Sequence, residues 1–126
     1  MKFCISILAA ALFVLGGCQS PVQLRQSVAG LDEVTNVPAE RLAGCVGDKL
    51  EASSLGSAGT RFSSRPTTNG FSISGVDTPG GIYSGSTDTP ILVDITRRDD
   101  GKTRIQVWTN LVMGTAQMIS LVRGCL

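Results

Sequence analysis

Apolar side chains are arranged in four different patterns along this 126-residue chain. The first is an almost unbroken block, Phe3 to Gly17, 15 residues long and preceded by Lys2. The second, from about Gln19 to Val37, is polar with scattered apolar residues and holds no period beyond a short helical turn around Val22 to Ala29. The third begins at Pro38, where Ala39, Leu42, Cys45 or Val46, and Leu50 recur at three- and four-residue spacing. That period predicts an amphipathic helix. Pro38 is read as its first helical residue, Glu40 suits the positive end of its dipole, and it should end between Ser53 and Gly56.

The fourth pattern is alternation, the mark of half-buried strands. Phe62 and Ser64, then Phe71 and Ile73, alternate with polar neighbours. Pairing Phe62 with Ile73 puts the apolar residues on one face and leaves Pro66-Thr67-Thr68-Asn69 as a four-residue turn. Ile91, Val93 and Ile95 alternate in a third strand, and Ile105 and Val107 in a fourth. A two-residue Asp100-Gly101 turn would place these two apolar rows on opposite faces, because a one-residue slip inverts every side chain. A three-residue Asp99-Asp100-Gly101 loop pairs Ile95 with Ile105 and Val93 with Val107, and sets Gly101 where a left-handed residue is needed. A last helix is expected from about Leu111, capped by Asn110, with Thr115, Met118, Val122 and Cys125 on its inner stripe. The fold class is therefore α+β: an N-terminal helix, a four-stranded antiparallel meander and a C-terminal helix, with both helices on one sheet face.

The same register exposes a question. Leu92 and Trp108 fall opposite each other on the face away from the helices, with Thr96 and Arg104 further along it. Either the Gly-, Ser-, Thr-, Asp- and Pro-rich stretch from Val76 to Pro90 folds over Trp108, with Ile82 and Tyr83 as candidate contacts, or Leu92, Trp108 and Arg104 form an interaction surface.

The N-terminal block is too short for a membrane span, which takes about 20 residues. Its positive start and small residues before a cut site fit a secretory signal. Its end, Leu15-Gly16-Gly17-Cys18, resembles the lipobox of bacterial lipoproteins, in which the Cys thiol is alkylated by a diacylglyceryl group before cleavage. On that reading residues 1–17 are a signal peptide, Cys18 is the lipidated mature N-terminus, 18–37 is a tether and 38–126 is a single domain. Gln19 in place of Asp after the Cys points to the outer membrane, facing the periplasm.

Removing residues 1–17 takes away Lys2 and leaves 109 residues with ten basic and ten acidic side chains. A neutral domain whose only aromatics are Phe62, Phe71, Tyr83 and Trp108 offers no basis for nucleic-acid binding. Cys45 and Cys125 remain as an even pair in an exported chain, which reads as a disulfide. No histidine occurs anywhere in the sequence. Imidazole acid–base chemistry, catalytic triads and the commonest metal ligand are thereby absent, and no C-x-x-C spacing exists. The glycines from Gly75 to Gly85 lack the G-K-[ST] of a phosphate loop. Asp77, Asp88, Asp99 and Asp100 do not follow calcium-loop spacing and suit turns. No cofactor or metal site is expected, and no residue set points to an enzyme.

The lipobox, the P-A-E-R-L-A-G-C-V-x-x-K-L-E run at 38–51, R-P-T-T-N-G-F-S-I-S at 65–74, I-L-V-D-I-T at 91–96 and V-R-G-C at 122–125 together resemble a group of small bacterial lipoproteins with no established activity. The resemblance carries over no activity, and the first reading is a structural or interaction module held at the envelope, contacting another envelope protein or peptidoglycan. The alternative is a small-ligand binder or enzyme working through the 76–90 loop.

Overall fold

A computed structural model of the chain describes residues 20–76, 89–111 and 114–126. The elements run α1 (Pro21–Arg25), β1 (Leu31–Thr35), α2 (Ala39–Glu51), α3 (Ser54–Ser57), β2 (Arg61–Thr67), β3 (Gly70–Val76), β4 (Ile91–Arg97), β5 (Thr103–Thr109) and α4 (Thr115–Arg123). The architecture is α+β. Five antiparallel strands form an open sheet in the order β1-β5-β4-β3-β2. The expected meander is its β2-to-β5 portion, and β1 is an additional strand on the β5 edge.

Residues 21–35, expected as tether, are therefore folded. The Gly30 N–H donates to the Val107 carbonyl at 2.8 Å, and Leu31 to Thr35 then pair with Val107 to Thr103. The short α1 is fixed by a reciprocal cap: Ser20 Oγ accepts from the Gln23 N–H, and Gln23 Oε1 accepts from the Ser20 N–H at 3.0 Å. Such a box satisfies two donors that a helix start leaves open. From β1, at one sheet edge, the chain crosses to the opposite edge through α2 and α3.

The β4–β5 register is the expected one. Ile95 faces Ile105, Val93 faces Val107, and Gly101 sits at φ 81°. The β2–β3 register differs by two residues. Phe62 pairs with Gly75 and Ser64 with Ile73, leaving only Thr68-Asn69 as the turn. A shift of two preserves which face each side chain occupies, so the core assignment survives. The observed register seats the Phe62 ring over Gly75, where an added Cβ would lie 3.0 Å from both Phe62 Cε1 and Ile91 Cγ2. Pro66 is carried on the outer strand, where a missing N–H is tolerated.

One face of the sheet holds the main core. Ile73, Ile91, Val93, Ile95, Ile105 and Val107 pack against Leu42, Val46 and Leu50 of α2 and Met118 and Val122 of α4. Both long helices thus cover the same face. Pro38 lies just outside α2, as its N-cap, and the short α3 follows where that helix was expected to end. The C-terminal helix begins four residues later than expected. The Asn110 N–H donates to the Pro90 carbonyl at 2.8 Å and prolongs the sheet, and Gly114 at φ 87° separates this strand end from α4.

Cys45 in the middle of α2 and Cys125 just after α4 are joined by a disulfide, with Cα atoms 5.9 Å apart. It closes a loop of 80 positions. On the chain-entropy model such a cross-link contributes about 4–5 kcal/mol by restricting the unfolded chain. The paired variant Cys45→Ser/Cys125→Ser should accordingly unfold in urea with a stability lower by about 4 kcal/mol and an unchanged far-UV circular dichroism spectrum below its midpoint.

Candidate functional site

The face of the sheet away from α2 and α4 carries the residues singled out as a contact surface. Leu92 and Trp108 are directly opposed across β4 and β5, as expected. They do not form an exposed patch: Leu92 is 1 % and Trp108 5 % accessible. Among the described residues, the cover comes from the N-terminal segment. Leu24 of α1, itself 1 % exposed, packs with both of them, and Ala29 packs at the margin. The indole Nε1–H donates to the Ser27 carbonyl at 3.1 Å, so the polar end of the ring is satisfied where burial would otherwise cost it water. Leu92 and Trp108 are therefore no open surface, and α1 supplies a cover that the sequence reading did not anticipate. The proposed loop contacts Ile82 and Tyr83, and with them residues 77–88 of the 76–90 loop, lie outside the described residues.

Two ion-pair networks frame this secondary core. The Arg25 guanidinium grips Asp94 through Nε to Oδ2 at 2.7 Å and Nη2 to Oδ1 at 2.9 Å, and Nη2 also donates to Ser72 Oγ. Ser72 Oγ in turn donates to Asp94 Oδ1. The hydrogen bonds to Asp94, and after them its charge, raise the Arg25 pKa against the opposing effect of burial. Arg104 is exposed, yet it is occupied: its Nε and Nη2 bond Asp32 of β1 at 2.9 and 2.7 Å, and Gln106 lies at 3.4 Å from the same carboxylate. The Arg104 hydrogen bonds hold the Asp32 carboxyl below the ordinary aspartate range. Arg104 is therefore a clasp between β5 and β1.

At the β4–β5 hairpin end, a depression of about 460 Å³ is lined by Asn69, Arg97, Arg98, Asp99 and Asp100. A smaller one, about 200 Å³, reaches from Arg97, Arg98 and Lys102 to Pro38 and Glu40 at the start of α2. Their charges are largely matched locally. Arg97 pairs with Glu40 and lies over the Phe71 ring, 5.6 Å from its centroid, while Arg98 pairs with Asp100 at 3.2 Å. The Arg97 hydrogen bond lowers the Glu40 pKa, and the Lys102 backbone N–H, followed by Arg98, lowers that of Asp100. Among the described residues, no three Cys, Asp or Glu side chains converge to hold a metal ion.

Against protein-family models, curated proteins and solved structures, the chain matches none.

Two outcomes follow from this geometry. Trp108→Ala should lower stability by about 3–5 kcal/mol, the cost of emptying a buried large aromatic site, as read by urea denaturation. The depressed Asp32 pKa sets the sign of a pH effect: the pair stabilises fully above about pH 4, the usual aspartate range, and its contribution is lost as pH falls through the lower folded value. Asp32→Asn should lower the melting temperature at pH 7 and flatten its decline below pH 4.

Proposed function

We propose that this chain is a bacterial lipoprotein in which Cys18 carries the membrane anchor and the folded domain acts as a structural or protein-interaction module of the cell envelope. Leu15-Gly16-Gly17-Cys18, placed after an apolar block with a basic start, is the observation that carries this reading. The Cys45–Cys125 disulfide supports it, since such bonds persist in oxidising compartments outside the cytoplasm. Gln19 after the anchor favours the outer membrane, with the domain in the periplasm.

The anchor would be stable. Each buried methylene contributes roughly 0.8 kcal/mol, and two or more acyl chains make membrane attachment lasting where one gives only marginal binding. A partner, whether an envelope protein or peptidoglycan, would meet a surface rich in paired charges, because Leu92 and Trp108 are occupied internally.

Cys18→Ser expressed in a bacterial host should move the protein from the membrane fraction to the soluble periplasmic or uncleaved form. The wild-type N-terminal tryptic peptide should carry a diacylglyceryl mass at Cys18. An unmodified Cys18 in a membrane-free wild-type protein would overturn the proposal.

A further inference from the structure

Apolar side chains are turned outward on the N-terminal segment itself. In α1, Leu24 points into the Trp108 cluster, and Val22, two residues earlier, falls on the opposite side of the helix. Val22 is 63 % and Val28 95 % exposed. From Gln19 to Gly30 the sole charged side chain is the cation Arg25, and no acidic residue occurs. Nothing on this strip repels an anionic phospholipid surface.

Chain length identifies the occupant. A single residue, Gln19, separates Cys18 from Ser20, the N-cap of α1. An extended chain advances at most ~3.6 Å per residue, so Cys18 lies no more than about 7 Å from the N-cap of α1, less than the ~10 Å width of a helix with its side chains. Held that closely, the start of α1 leaves no room for another protein between itself and the bilayer. Whatever faces the anchor must face lipid.

We infer that the outer side of α1 and the turn after it, centred on Val22 and Val28, rests on the phospholipid bilayer that holds Cys18. This inference depends on the anchoring proposed above. It fixes the orientation of the domain: the strip covering Trp108 is membrane-proximal, and α2, on the other face of the sheet, is distal. Residues 20–30 thus have two jobs, closing the second core with Leu24 and Ser27 and seating the domain on lipid with Val22 and Val28.

The test uses the full-length lipidated protein in vesicles of phosphatidylethanolamine and phosphatidylglycerol. A nitroxide is attached at Val28→Cys, or at Asp48→Cys on the exposed side of α2. With Cys4 removed in the signal peptide, Cys18 lipidated and Cys45 bonded to Cys125, the introduced thiol is the one available to label. Both positions are exposed, so neither substitution empties core space. Power-saturation electron paramagnetic resonance should show collisions with a water-soluble nickel complex several-fold rarer at position 28 than at 48, with oxygen collisions correspondingly enriched at 28. Equal nickel access at the two positions in protein that floats with the vesicles would overturn this inference and leave the anchor reading standing. Dipolar broadening between labels at position 28 would assign the strip to a second copy of the chain, and also overturn it. Protein that lacks the diacylglyceryl mass and does not float would overturn both.

Discussion

The pairing of β4 with β5 governs the rest of the molecule. Its three-residue loop brings Ile91, Val93 and Ile95 onto the same face as Ile105 and Val107. That face becomes one continuous apolar surface for α2 and α4 to cover. The same register necessarily sends Leu92 and Trp108 to the other side, side by side. A sheet with such a pair on its second face cannot leave that face open to water without exposing a large aromatic and a leucine together. The second layer, α1 with the turn behind it, answers a demand set by the hairpin.

That demand was readable in the residues; its answer was harder to read. The alternation in β4 and β5, the glycine in their loop, the helical period of α2 and the pairing of two cysteines are all strong local signals, and each corresponds to what the structure contains. Residues 20–35 carry weak ones. One apolar residue of α1 turns inward, Leu24, and in β1 the buried position is Leu31 while Val34 faces solvent. Periodicity requires several inward residues to register, and here tertiary contacts supply the order instead. One signal was present: Ser20-Pro21-Val22-Gln23 has the spacing of a capping box with proline at the first helical position. The two-residue error in β2–β3 has a different origin. Parity decides faces but not register, and the choice turned on Gly75 making room for the Phe62 ring, a contact between side chains that pattern reading does not see.

The candidate surface illustrates the same limit. Arg104 looked free because its partner, Asp32, lies 72 residues earlier in a segment without evident structure. Arg25 and Asp94 are 69 residues apart. Such pairs contribute modestly to stability at an exposed site, but their planar, two-pronged geometry sets where α1 and β1 lie. Their effect is positional: they orient the segment whose one leucine and one indole acceptor close the second core.

The two sides of the sheet are held by unequal means. On the α2–α4 side a broad apolar core is cross-linked by Cys45–Cys125. On the other, among the described residues, Leu24, Leu92 and Trp108 are supported by one indole hydrogen bond and two exposed ion pairs. Local opening follows the density of buried contacts, so the α1 layer is where the molecule yields first. It is also where the chain leads to Cys18. With an anchor there, any displacement between bilayer and domain enters through Ser20 and α1, and reaches β1 before it reaches the disulfide-bonded layer. The ladder from β1 to β5, five residue pairs long, then resists it along the strands. On the proposed anchoring, the weaker layer would be the mechanical link between membrane and domain, and the disulfide would preserve the larger core when that link gives way.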